Sequence, residues 1–158
     1  MPVTLTSLGG LSFAVEDGLG HSIRLDDSNA AEAEHTGFSP MRALLAALGG
    51  CTAIDVLGIL RRMRQEVDAY RVEVDGERRD EHPRVFTSIT LLHTFRGRVS
   101  EDNARRAISL SMTRYCPVGA TVRATVPITC RYRIDDGDGG SLKGEIAFAP
   151  THARLPDC

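Results

Sequence analysis

Between Ala43 and Leu60 the chain carries one charge, Asp55, and is otherwise apolar or small. The flanks supply the signals of a helix. Ser39 can cap it, Pro40 suits its first turn, and Arg61, Arg62 and Arg64 crowd the end where the helix dipole favours cations. The pattern therefore predicts one helix across 39–64, and a helix apolar on all sides is either sheathed by protein or spans a membrane. Energy decides between the two. The eight Leu, Ile and Val residues of this stretch are worth roughly −2 to −5 kcal/mol in a bilayer, while a central Asp55 alone costs about 2.5–3.5 kcal/mol. The expected element is a central helix covered by the rest of the protein. At its middle, Gly49-Gly50 precede Cys51 and let another backbone approach closely.

Upstream, Val3–Ser7, Leu11–Val15 and His21–Leu25 are short segments separated by Gly9-Gly10 and Asp17-Gly18, which predicts consecutive antiparallel hairpins. Asp26–Gly37 is polar and alanine-rich and reads as a loop, with His35 solvated. Downstream, Tyr70, Val72 and Val74 alternate with Arg71, Glu73 and Asp75, and Arg84–Phe95 is β-branched and aromatic. Together they predict a long hairpin with one buried face, with His82 and His93 at its surface or edge. A second helix is expected from Ser100, with Glu101 and Asp102 in its first turn, as far as Tyr115. Cys116-Pro117 must break it, Val118–Ala124 continues as one or two helical turns, and Pro127–Ile134 is a last strand. This order predicts an α+β fold with antiparallel sheets, a domain over residues 1–134, and a flexible linker and C-terminal tail over 135–158. One central helix serving sheets on two sides makes a dimer plausible.

Composition changes this picture little. A chain of 158 residues with a net charge of −2 offers no footprint for nucleic acid or an anionic membrane. No secretory signal is visible in MPVTLTSLGG, so the expected location is the cytoplasm. The four cysteines, at 51, 116, 130 and 158, include no CxxC pair. That spacing argues against a zinc site and against a structural disulfide framework. Reduced thiols are the default, and any disulfide would be a transient, working one.

Two of these thiols stand at special backbone positions. If a helix starts after Cys116, its sulfur sits at the N-cap, facing free N–H groups that would lower its pKa. Cys51, mid-helix with Asp55 one turn on, has no such help. Local physics thus selects Cys116 as the more acidic thiol. Cys130 alternates with Tyr132 on a strand and reads as a small hydrophobe, and Cys158 reads as disordered.

The run Ser39-Pro40-Met41 to Leu48-Gly49-Gly50-Cys51, followed about 65 residues later by Tyr115-Cys116-Pro117-Val118, resembles the OsmC/Ohr family of hydroperoxide-reducing proteins. The resemblance covers about residues 1–134. It implies curved antiparallel sheets around central helices in an intertwined homodimer, and an antioxidant thiol peroxidase acting under oxidative stress. It implies that Cys51 attacks an organic hydroperoxide to form a sulfenic acid. Cys116 then resolves this to a transient disulfide, and an external dithiol, with no bound cofactor or metal, restores both thiols. This assignment reverses the one drawn from the helix dipole. The family pattern has a glutamate directly after the first-turn proline, where this chain has Met41, and an arginine from the N-terminal strands. His21, Arg24 and Arg42 are the candidates here for supporting the thiolate or substrate. Leu44, Leu48 and Ile54 are candidates for an apolar wall favouring organic peroxides. The alternative reading is a non-catalytic redox sensor or an apolar-ligand-binding dimer of the same fold. A Cys–His hydrolase would need His21 beside Cys51.

Overall fold

The computed structural model describes residues 2–27, 36–135 and 140–151. His35 and Cys158 lie outside them. The chain divides into two units, Met1–Ala46 and Ala47–Cys158.

In the first unit, β1 (Thr4–Gly9), β2 (Ser12–Glu16) and β3 (Ser22–Leu25) form an antiparallel sheet in that order. The register pairs Leu5 with Val15 and Val15 with Ile23. Gly9 and Gly10 both take positive φ, 104° and 55°, which is why the first turn is built from glycine. After β3 the chain returns alongside it. Phe38 N–H donates to the Arg24 carbonyl (2.9 Å) and Asp26 N–H to that of Phe38 (3.0 Å). Gly37 is obligatory there, since a Cβ would lie 2.5 Å from the Arg24 carbonyl oxygen. The Ser39 hydroxyl then accepts from Arg42 N–H at 3.3 Å and caps the next helix, with Pro40 at its first position.

That helix, α1 (Pro40–Arg62), runs on into the second unit. It ends in a Schellman closure: Gln65 N–H donates to the Leu60 carbonyl and Arg64 N–H to that of Arg61. Arg64 occupies the left-handed position, at φ 56°, that glycine usually fills. The expectation of a helix covered on all sides is not met within one chain. Leu48, Gly49, Thr52, Val56, Ile59 and Leu60 are buried, but Ile54 is 76% exposed. The close approach expected at Gly49-Gly50 is made by a side chain rather than a backbone, and at Gly49 alone, where a Cβ would meet the Val74 side chain at 2.7 Å.

The second unit carries a four-stranded sheet, β4 (Glu66–Arg78), β5 (Phe86–Arg98), β6 (Ile128–Asp135) and β7 (Ser141–Phe148), in that order. β4 and β5 form the long hairpin, pairing Tyr70 with Phe95 and Val72 with His93. β5 and β6 are parallel rather than antiparallel. The two helices between them are the crossover that a parallel pair requires. β7 is a correction to the expected linker and tail, since 141–148 pairs antiparallel with β6 along its whole length. Gly144, Ile146 and Phe148 alternate with the exposed Lys143, Glu145 and Ala147, which is the strand signal in this stretch.

The crossover is α2 (Glu101–Leu110), a π-helical turn (Ser111–Tyr115) and α3 (Pro117–Val122). Ser100 caps α2 through Asn103 N–H, as expected. The core of this unit collects Ile89, Leu91 and Phe95 of β5 with Ile128, Cys130, Tyr132 and Ile134 of β6, and Ala104, Ala107, Ile108 and Met112 beyond them. His93 belongs to this core and is fully buried, which corrects the surface reading. Its position in the alternation Ile89, Leu91, His93, Phe95 is the signal that places it inside. Its Nδ1 lies 2.7 Å from the Tyr70 hydroxyl, and its Nε2 has no hydrogen-bond partner among the described residues.

Candidate functional site

Helical spacing places Cys51 and Asp55 on one face of α1, one turn apart. Cys116 reaches them from the chain break that proline forces. The π turn closes with Cys116 N–H donating to the Ser111 carbonyl at 2.9 Å. The residue then leaves helical geometry (φ −74°, ψ 103°), and Pro117 opens α3. As expected from the sequence, the Cys116 sulfur is the N-cap group, accepting from Gly119 N–H at 3.1 Å. The Sγ atoms of Cys51 and Cys116 and a carboxylate oxygen of Asp55 all lie within 4.8 Å of one another.

Beneath this trio runs a buried polar chain. The Ser111 hydroxyl donates to Asp55 Oδ2 at 3.0 Å and lies 2.9 Å from the Thr52 hydroxyl. Thr52 and Ser111 are both fully buried. A buried hydroxyl pair persists only when each member is satisfied, and here the chain ends on a carboxylate whose orientation it fixes. Sequence reasoning missed these two hydroxyls and read Asp55 only as the lone charge of an apolar helix, one turn from Cys51. Their neighbours in sequence gave the one available hint, since Thr52 follows Cys51 and Ser111 precedes Cys116 by one π turn.

The two thiols differ in surroundings. Cys51 is half-buried and Cys116 buried. Burial pushes the Cys116 thiol up to about 12, and its hydrogen bond with Cys51 acts in the same direction. The charge of Asp55 adds a smaller push, and the Gly119 N–H opposes all three without prevailing. This overturns the expectation that the cap lowers the Cys116 pKa. The cap geometry is as anticipated, but desolvation of the thiolate outweighs one N–H dipole. Cys130 is fully buried and likewise pushed up to about 12, chiefly by burial.

The other predicted site residues belong to the first unit. His21 is exposed, with Nδ1 2.7 Å from Asp17 Oδ2, and it closes the turn before β3. Arg24 donates through Nε to the Ser12 hydroxyl (2.8 Å) and to Asp26 Oδ1 (3.4 Å). Asp26 Oδ2 accepts from both the backbone and the hydroxyl of Thr36. Hydrogen bonds from Ser12 and Thr36, with the Arg24 charge, hold the Asp26 carboxyl far below the usual range. Arg24 and Arg42 line one open cavity of about 470 Å³, together with Ile23, Thr36, Gly37 and Phe38. The structure thus brings Arg24 and Arg42 together and leaves His21 on its own turn. Met41 lines a different depression, with Leu5, Leu11 and Phe13. Of the proposed apolar wall, Leu48 is a core residue, while Leu44 and Ile54 are exposed in the single chain.

Two free thiols facing each other from the middle of one helix and the cap of another, on this order of elements, define a class. The chain belongs to the OsmC-like protein family, whose profile matches residues 33–131, a span that contains both cysteines. Protein YhfA of Escherichia coli K12 is 41% identical over 126 residues, covering 79% of this chain and 91% of YhfA. Among solved structures, a hypothetical protein from Aquifex aeolicus aligns with a TM-score of 0.76 at 28% identity, over 85% of this chain and 95% of that one. The organic hydroperoxide resistance protein OhrB of Bacillus subtilis shares the fold, with a TM-score of 0.58 at 18% identity, over 85% of this chain and 98% of OhrB.

Proposed function

We propose that this protein is a thiol-dependent peroxidase that reduces organic hydroperoxides in the cytoplasm, working as a homodimer. The observation that carries the reading is the asymmetric thiol pair: a half-exposed Cys51 and a buried Cys116, with sulfurs within 4.8 Å. A peroxide reaches the accessible sulfur first, and the buried one, kept protonated by its surroundings, is held in reserve. Membership of the OsmC-like family is consistent with this.

The chemistry follows from these roles. The Cys51 thiolate attacks one oxygen of ROOH, the O–O bond breaks, and the departing alkoxide takes a proton to leave as alcohol. Cys51 is now a sulfenic acid. Cys116 surrenders its proton and attacks the Cys51 sulfur, expelling the oxygen as water and forming the disulfide. An external dithiol then reduces that bond by exchange, regenerating both thiols. Asp55, aimed by Ser111, stands beside both sulfurs, where a carboxylate can carry a proton between thiol and leaving oxygen.

Substitution separates the roles. Cys51→Ser should abolish hydroperoxide consumption. Cys116→Ser should allow one turnover and accumulate a sulfenic acid on Cys51 that dimedone traps. Dimedone found only on Cys116 would overturn the assignment.

A further inference from the structure

Linear spacing argued against a metal site, but folding supplies what the spacing lacks. Two thiols and one carboxylate oxygen converge within 4.8 Å, from two helices that are separately anchored. We propose that Cys51, Cys116 and Asp55 form a binding site for a thiophilic divalent cation of the zinc type, which occupies the reduced thiol pair and blocks its oxidation.

The donor set selects the metal. Two sulfurs exclude magnesium and calcium, which take oxygen, and one carboxylate completes a mixed set suited to zinc or cobalt. Zinc–sulfur bonds of ~2.3 Å and zinc–oxygen bonds of ~2.0–2.2 Å place tetrahedral ligands roughly 3.5–3.8 Å apart. The trio, within 4.8 Å, stands no more than about 1.3 Å beyond that spacing.

The surroundings also fit. Asp55 has no basic partner within ion-pairing distance among the described residues, so its charge is uncompensated. Ser111, itself bonded to Thr52, holds Oδ2, and a carboxylate oxygen of Asp55 lies within 4.8 Å of both sulfurs. An outer-shell hydrogen bond of this kind orients a carboxylate ligand. The Gly119 N–H fixes Cys116 at its cap. Cys51 is half-exposed, which gives an ion an approach and leaves a fourth position for water.

This inference does not depend on the peroxidase reading, because the cation needs only reduced thiols, whatever oxidises them. The two make one joint demand: the metal-loaded protein must resist hydroperoxide. The test uses the reduced, metal-free full-length chain, titrated with Co²⁺ and then with Zn²⁺ against a chromophoric chelator. One equivalent of Co²⁺ should give a thiolate-to-cobalt charge-transfer band and the intense visible bands of a tetrahedral ion, both abolished by one equivalent of Zn²⁺. Cys51→Ser and Cys116→Ser should lose the charge-transfer band or halve it. Asp55→Asn, which keeps an acceptor for Ser111, should weaken Zn²⁺ binding at least tenfold with an unchanged circular dichroism spectrum. Cys130→Ser and Cys158→Ser should bind as the parent does. Absence of the band in the parent, its loss in Cys158→Ser or Cys130→Ser instead, or equal affinity in Asp55→Asn would each overturn the proposal. Hydroperoxide consumption measured in chelator reads the peroxidase separately, so failure of either leaves the other standing.

Discussion

His93 is a residue whose burial changes its chemistry within the ordinary pH range. Burial alone depresses its pKa from 6.5 to about 4, so the folded protein holds the ring neutral while the unfolded chain protonates it. The contribution to stability is therefore full above the unfolded value. It is lost as pH falls from 6.5 towards the folded value. Between about pH 7 and about pH 5 this one group should remove on the order of 2 kcal/mol of unfolding free energy. Denaturant titrations at the two pH values should show that loss in the parent and a smaller one in His93→Gln, which keeps a hydrogen-bonding group near Tyr70. Equal losses in both would show that His93 is not the titrating group. The cysteines teach the same lesson at this scale. The cap of Cys116 was legible because proline dictates backbone geometry locally. Its acidity was not, because desolvation depends on what α1 brings up against it.

Among the elements, the long periodic ones were legible and the contextual ones were not. Hydropathy and capping placed α1 within a residue or two of where it stands and fixed the start of α2, whose expected last five residues form the π turn instead; alternation placed the β4–β5 hairpin. The parallel β5–β6 pairing was not visible, since neither strand records the direction of its neighbour, and β7 was hidden behind a glycine-rich acidic approach. The site was half legible. Both thiols were singled out, whereas the Thr52–Ser111–Asp55 chain depends on a contact spanning 59 residues of sequence. The end of α1 makes an element-scale prediction. Arg64 pays the cost of a left-handed backbone, which for a residue with a Cβ is roughly 1–2 kcal/mol. Replacing it with glycine relieves that cost and returns part of it as unfolded-state entropy. Arg64→Gly should therefore raise stability by up to ~1 kcal/mol in chemical denaturation, and a loss of stability would contradict the Schellman reading of this terminus.

At the scale of the whole molecule, the single chain leaves much apolar surface in water. Ile54 of α1 and, in the first unit, Leu5, Leu8, Leu11 and Ile23 are all more than half exposed. Exposed apolar surface of this kind is ordinarily covered by a partner, and a second copy of the chain is the occupant proposed above. Light scattering at micromolar concentration should give twice the 17.2 kDa chain mass. A monomer with native circular dichroism would refute the dimer. The claim on which the functional account turns is the exchange between Cys51 and Cys116, and one measurement reads it directly. The reduced, metal-free protein is mixed with one equivalent of tert-butyl hydroperoxide, quenched with an alkylating agent and mapped by peptide mass spectrometry. The account predicts a Cys51–Cys116 disulfide in proportion to the peroxide consumed, with Cys130 recovered as the alkylated thiol. Peroxide lost with Cys51 and Cys116 both alkylated, or a disulfide formed through Cys130 or Cys158 instead, would contradict it.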